Sequence, residues 1–230
     1  MSLPAAYLLD IEGTITPVDF VTRILFPYAR VRLAEWLARP CVELDQELAW
    51  LSEEYASEVS LVPDWSERPT AVHAIDYLEF LMDQDRKSRG LKSLQGRIWK
   101  AGFEAGELRG EFYDDVLPAL QRWQNRGAKI AIYSSGSVLA QKQLVKYAVA
   151  GDLSAYFEAH FDTAVGGKKE PGSYETIARE LGLEPGQIHF LSDIDAEIQA
   201  ARSAGMQATQ VVRDGALSAP DQIATLDGLP

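Results

Sequence analysis

The run Tyr7-Leu8-Leu9-Asp10-Ile11-Glu12-Gly13-Thr14 constrains the fold more than any other stretch of this chain. Its apolar lead-in has the length and composition of a buried strand, and Gly13 supplies the turn that ends it. Two carboxylates sit two residues apart where that strand stops. Side chains along a strand repeat every two residues, so Asp10 and Glu12 can face one crevice. In open parallel α/β sheets that crevice, beyond the carboxyl ends of the strands, is where ligands bind. One carboxylate free to attack and another free to move protons is an arrangement suited to phosphoryl transfer. The pair alone is weak: with 34 acidic residues in 230, roughly five acid-x-acid pairs arise by chance, so the context must carry the reading. Without that context, a solvated acidic turn is the simpler account.

A chain of 230 residues can bury a sizeable core and suits one large domain or one domain with an insertion. The net charge of -12 argues against nucleic acid or an anionic membrane as a partner. It also means that an anionic substrate has to be drawn in locally, by a metal ion or a lysine. Cys41 is the single cysteine, so an intrachain disulfide is excluded, which suits a reducing cytoplasm. No stretch approaches 18 apolar residues. The first apolar run lacks a basic lead-in and stops at Asp10, so no signal peptide is expected.

Further short apolar runs read as strands: Lys129 to Tyr133, Phe161 to Ala164, Ile188 to Leu191 and Ala208 to Val212. Helical patterns fall between them, around Ser137 to Val149, Ser173 to Leu181 and Asp195 to Ala204. Gly182 and Gly205 lie where the last two should stop. Alternating strand and helix predicts an α/β fold, a Rossmann-like parallel sheet flanked by helices. The stretch from about Pro17 to Phe112 breaks this rhythm and reads almost wholly as helix. Phe20, Ile24, Leu25 and Tyr28 share one expected face, as do Leu44, Leu48, Leu51 and Tyr55. Pro63 and Pro69 punctuate it, and a third helix covers Asp76 to Phe80. The expected division is a core of residues 1–16 and 113–230, with 17–112 an inserted helical cap. Its hinges would lie near Ile15 to Pro17 and Gly110 to Asp114. Such a lid over the strand ends would exclude water from the chemistry. A separate helical domain with an unrelated task is the alternative.

The other predicted strand ends carry chemistry as well. Ser134, Ser135 and Gly136 open into a helix, where a hydroxyl and free N–H groups form an anion site, or an ordinary N-cap. Gly166, Gly167, Lys168 and Lys169 form a loop able to set an ammonium against a phosphate, although paired lysines more often serve as solvated surface. Ser192, Asp193, Ile194 and Asp195 follow the fourth strand, with Glu197 a turn beyond Asp193. A carboxylate there, facing Asp10, would complete an oxygen-ligand site for Mg2+; a helix cap is the simpler role. His73, His160 and His189 show no metal-ligand spacing, and burial suits His189 in its strand. The five tryptophans, Trp36, Trp50, Trp65, Trp99 and Trp123, suit packing in core and cap.

These strand ends, in chain order, resemble the haloacid dehalogenase-like superfamily of phosphohydrolases, and more narrowly the enolase-phosphatases (acireductone synthases) of methionine salvage. The superfamily's opening motif usually has Asp in both acidic positions. Glu in the second, within Asp10-Ile11-Glu12-Gly13-Thr14, marks the narrower group. The similarity continues in Tyr133-Ser134-Ser135-Gly136-Ser137, Gly151-Asp152-Leu153, Phe161-Asp162-Thr163, Lys168, Ser173-Tyr174 and Phe190-Leu191-Ser192-Asp193. In the cap it includes Ile98-Trp99 and Gly106-Glu107-Leu108-Arg109-Gly110. The segment Leu144 to Ala150 departs from the pattern, and residues after about Gly215 carry little of it.

The resemblance implies that Asp10 attacks phosphorus and forms an aspartyl-phosphate, while Glu12 protonates the leaving oxygen and later activates water. It implies a Mg2+ ion held by Asp10, Asp193 and the backbone carbonyl of Glu12, and substrate oxygens held by Ser134, Ser135 and Lys168, with Lys169 the alternative lysine. The substrate implied is 2,3-diketo-5-methylthiopentyl 1-phosphate, enolised and then dephosphorylated to 1,2-dihydroxy-3-keto-5-methylthiopentene. The base for enolisation is open between Glu12 and a cap residue such as Glu107. A cytoplasmic monomer is expected. A Mg2+-dependent phosphatase of the same fold acting on another small phosphate ester is the second reading. A phospho-accepting receiver or a non-catalytic binding module fits the long insertion and the reactive side chains less well.

Overall fold

The computed structural model describes residues 3–58, 62, 63, 65, 73–86 and 88–230; Pro69 lies outside them. Six strands form one parallel sheet: β1 (Ala6–Leu9), β2 (Lys129–Tyr133), β3 (Ala159–Phe161), β4 (Ile188–Ser192), β5 (Gln207–Val211) and β6 (Gln222–Ile223), in the order β3-β2-β1-β4-β5-β6. The chain therefore runs outward in both directions from β1, which lies between β2 and β4. That reversal creates the crevice in which ligands of such sheets sit.

Strand period sorts the core. Tyr7, Leu9, Ile130, Ile132 and Leu191 face one side, packed with α6 (Val116–Asn125). Ala6, Leu8, Ala131, Tyr133 and Phe190 face the other, with α8 (Pro171–Leu181) and α9 (Asp195–Ser203). Both faces are buried, as parallel strands require. Tyr7 stacks on Trp123 with ring centroids 3.9 Å apart. Helix α8 ends at Gly182 in the left-handed region, φ 70°, where the sequence places its stop.

Between β1 and α6 the described chain is helical: α1 (Phe26–Arg30), α2 (Leu33–Leu37), α3 (Val42–Ala56), α4 (Ala74–Asp83) and α5 (Arg89–Glu104). Before them, Phe20–Leu25 is π-helical. Pro27 has no N–H to return to residue 23, which favours a wider turn there. The wider turn changes the expected face: Phe20 and Leu25 are buried, whereas Ile24 is exposed. The α3 face is as patterned, with Leu44 and Leu51 buried, and it packs against α5 through an unforeseen ion pair. Glu47 is buried there and accepts from Arg97 Nη1 at 2.9 Å and Ser93 Oγ at 2.8 Å.

Edges differ from the sequence pattern in two places. The strand expected over Phe161 to Ala164 is β3, which stops at Phe161 because Asp162 turns the chain. Its Oδ1 accepts from Ala164 N at 2.9 Å and its Oδ2 from Val138 N at 3.3 Å. Two-residue β6 is too short to show a period. Helix α7 (Val138–Lys146) joins β2 to β3. No helix among the described residues is long and apolar enough to cross a membrane.

His189 fulfils the expected structural role: it is buried in β4, 2.8 Å from Thr209 Oγ1. Burial, with the Arg202 charge adding, pushes its pKa down to about 4. The folded chain thus holds the neutral ring, while the unfolded chain takes up a proton below about 6.5. This contribution to stability is whole above pH 6.5 and is lost as pH falls toward 4, reaching about 2 kcal/mol by pH 5. Urea unfolding at pH 7.5 and 5 should show that loss shrinking by about this amount in His189→Gln. An unchanged pH dependence would contradict the assignment.

Candidate active site

Asp10 follows the last residue of β1 and is 2 % exposed. Lys168 donates to its Oδ1 at 2.5 Å and to Glu197 Oε2, on the first turn of α9, at 2.7 Å. The lysine is held by its own loop. Tyr133 Oη donates to Gly166 O at 2.9 Å, Ser173 Oγ to Gly167 O at 2.9 Å and Tyr174 Oη to Lys168 O at 2.6 Å. Those three hydroxyls explain why Ser173 and Tyr174 follow the Gly-Gly-Lys loop at this spacing. Lys169, in contrast, is exposed.

Asp193, just past β4, donates its backbone N–H to Thr14 Oγ1 at 3.0 Å. Gly13 makes this possible: its φ is 71°, and a Cβ there would lie 2.5 Å from Asp193 Oδ2. Ser192 Oγ is 2.8 Å from Glu197 Oε2 and 3.3 Å from Asp10 Oδ2. Ser134, just past β2, is buried; its Oγ is 3.4 Å from Glu12 Oε2 and accepts from Gly136 N at 3.0 Å.

The carboxylates of Asp10, Glu12, Asp193 and Glu197 thus gather around one ammonium. Burial first, then the charge of Asp10, raises Glu12 to about 7 and Asp193 to about 6, and the same two causes raise Glu197. Lys168 is pulled down by burial but held above its ordinary range by Asp10 and Glu197. Asp193 Oδ1 is buried without a hydrogen-bond partner. An orphaned carboxylate oxygen beside a second carboxylate is what a hard cation would satisfy. Among the described residues no three His, Cys, Asp or Glu side chains converge as a metal cage. Two carboxylates supplemented by carbonyl and water oxygens fit Mg2+, which keeps several of its waters.

A cavity of about 1150 Å3 lies between the helical segment and the strand ends. Glu12, Ser134, Ser135 and Gly136 line its polar end; Leu25, Phe26, Trp99 and Phe103 line its apolar part. Asp10, Lys168 and Asp193 are not on this wall, which meets the carboxylate cluster through Glu12 and Ser134. Glu107 is not on the wall either: its carboxylate is exposed, accepting from Arg32 Nη2 at 2.7 Å and Tyr28 Oη at 3.0 Å.

The sequence profile of the haloacid dehalogenase-like hydrolases matches residues 4–205. The chain belongs to this family. Among haloacid dehalogenase-like hydrolases, it is 51 % identical over 223 residues to "Enolase-phosphatase E1" of Synechococcus elongatus, covering 94 % of this chain and 92 % of that protein. It is 41 % identical to the protein of the same name in Danio rerio, covering 91 % and 85 %. The solved UTR4 protein of Saccharomyces cerevisiae superposes with a TM-score of 0.75 at 30 % identity, over 96 % of each chain. CbbY of Rhodobacter sphaeroides, at 15 % identity and a TM-score of 0.61, covering 99 % of this chain and 96 % of its own, shares the fold.

Sequence alone assigns no role to Thr14 and none of its own to Glu197 in this hydrolase's cluster; sheet order brings Glu197 to Lys168 and Thr14 to Asp193. Gly13→Ala should lower phosphate release about 100-fold, since a misplacement of about 1 Å can have that effect. Steady-state assay of the folded variant tests this, and near-normal turnover would show that the Gly13–Asp193 approach is dispensable.

Proposed function

We propose that this hydrolase is an enolase-phosphatase that converts 2,3-diketo-5-methylthiopentyl 1-phosphate to 1,2-dihydroxy-3-keto-5-methylthiopentene in methionine salvage. The observation that carries the reading is Glu12 beside Asp10 at the end of the central strand. This carboxyl, raised to about 7, lies on the wall of a cavity with an apolar side. The full-length likeness to enolase-phosphatases supports it.

In this reading Glu12 removes a proton from the carbon between the phosphate ester and the first carbonyl, and that carbonyl's oxygen takes up a proton to give the enol. Glu107 is set aside because its carboxylate is engaged with Arg32 and Tyr28. Asp10 then attacks phosphorus, the bond from phosphorus to the ester oxygen breaks, and Glu12 delivers a proton to that oxygen as the acireductone leaves. Glu12 next takes a proton from water, whose oxygen attacks phosphorus; the Asp10–phosphorus bond breaks and inorganic phosphate departs. Ser134, Ser135 and Lys168 hold the phosphoryl oxygens. Lys168 spends two of its three donors on Asp10 and Glu197, leaving one for substrate. Asp10, Asp193 and the Glu12 carbonyl would hold Mg2+, which supplies positive charge between nucleophile and phosphate. Residues 17–112 serve as the cap that excludes water. The protein works as a cytoplasmic monomer, with Cys41 reduced.

Incubation with the diketone phosphate and Mg2+, following enol absorbance and free phosphate together, tests the reading. Enol should appear before phosphate. Phosphate without enol would favour a phosphatase for another ester. Asp10→Asn should lower phosphate release at least about 1000-fold, since loss of a nucleophile can cost roughly a million-fold, and chelation of divalent ions should stop it. Wild-type rates in Asp10→Asn would eliminate the nucleophile. Glu107→Gln should enolise at the wild-type rate; a large loss would return that residue to consideration.

A further inference from the structure

Arg213 follows β5, outside the carboxylate cluster, yet its side chain is only 6 % exposed. Its Nε and Nη2 donate to the Thr14 carbonyl at 2.9 and 2.6 Å. Its Nη1 donates to Asp115 Oδ2 at 2.7 Å and to the Ala224 carbonyl at 3.3 Å, and its Cζ lies 4.2 Å from the centre of the Tyr113 ring. One guanidinium therefore grips both crossings between the sheet and the helical segment. Thr14 precedes the outward crossing, and Tyr113 and Asp115 lie on the return. The crossings also touch directly, with Tyr113 N donating to Ile15 O at 3.1 Å.

Thr14 has a second engagement. Its hydroxyl accepts the backbone N–H of Asp193, whose carboxylate packs against Gly13. A continuous chain of contacts thus runs from the return crossing through Arg213 and Thr14 to Asp193. Buried ion pairs add little net stability, because desolvation offsets their attraction. The consequence of this one is geometric: the planar fork fixes a carbonyl and a carboxylate relative to each other, which a lysine cannot do.

We infer that Arg213 is a positioning residue that couples the Asp193 carboxylate to the cap hinge, so that metal binding at Asp193 and the position of the hinge depend on each other. The inference rests on the reading of Asp193 as a Mg2+ ligand. Arg213 itself touches neither Asp10 nor Lys168 and would act through Thr14.

The experiment is Mg2+ titration by calorimetry on wild type, Arg213→Lys and Arg213→Met, with hydrogen exchange followed at residues 112–116 with and without Mg2+. Wild type should bind Mg2+ and show slowed exchange at the hinge. Folded Arg213 variants should bind Mg2+ about tenfold more weakly, the lower end for residues that orient metal ligands, and lose the slowing. Asp115→Asn keeps the Thr14 contacts, so it should retain most of the Mg2+ affinity while losing the hinge response. Should Arg213→Met fail to fold, Arg213→Lys and Asp115→Asn carry the same comparison. Unchanged Mg2+ affinity in folded Arg213 variants, or an unchanged hinge response, would overturn the coupling and leave Arg213 a packing residue. No Mg2+ binding by wild type would instead sink the metal reading itself.

Discussion

The ammonium of Lys168, set between Asp10 and Glu197, is the interaction on which the site depends. Asp10, Glu12, Asp193 and Glu197 gather at the ends of two adjacent strands, and without a cation among them they would repel or take up protons. Breaking a buried pair of this kind costs about 3–5 kcal/mol, because it strands the remaining charge. Lys168 does not neutralise the cluster, however. Burial, with the charge of Asp10 adding, leaves Glu12 near 7 and Asp193 near 6. The two together give Glu12 a proton affinity suited to taking and returning protons near neutral pH, and they leave an acidic corner at Asp193.

Sheet order explains why these residues meet. Because the chain winds outward from β1 in both directions, the segment after β1 has the ends of β2 and β4 on either side. Ser134 arrives from one side and Ser192 and Asp193 from the other, although they are almost 60 positions apart. The lysine comes from the loop beyond β3 and spans the gap by its length, the loop being pinned by Tyr133 at the Gly166 carbonyl and by Tyr174 at the Lys168 carbonyl. The site is thus a product of the topological switch, with rigid strand ends setting Asp10 and a tied loop setting the charge.

Features that repeat locally were legible in the sequence. The apolar runs of β1, β2 and β4 had their period-independent signature of strands buried on both faces, and Gly13 and Gly182 marked turns by a backbone requirement that only side-chain-free residues meet comfortably. Relations between distant elements were not legible. Glu47, Glu197 and Arg213 are charged, and a charge in a helix or loop reads as surface unless its partner is known. Their partners lie 50, 29 and 98 or more residues away, at Arg97, Lys168 and Asp115. The exposure of Ile24 was hidden for a different reason: a face drawn at 3.6 residues per turn includes it, whereas the π-helical stretch obeys another period.

The charge of the whole molecule places a further demand on the site. At -12, the protein repels a phosphate dianion at long range. Among the described residues, three of the four guanidinium groups on the cavity wall are taken up in ion pairs, Arg30 with Asp83, Arg86 with Glu58 and Arg97 with Glu47, and the fourth, Arg89, lies over the Trp50 ring. In the proposed reading, recognition of the phosphate falls at contact distance to Lys168 and the hydroxyls and N–H groups around Ser134, where each donor counts for more than in water. The apolar side of the cavity complements this. Leu25, Phe26, Trp99 and Phe103 offer burial to the uncharged end of a substrate, and burial is indifferent to the protein's charge. An anion with an apolar tail is thus held at both ends by interactions that the acidic surface does not weaken, whereas free phosphate, lacking the tail, has only the short-range donors to keep it.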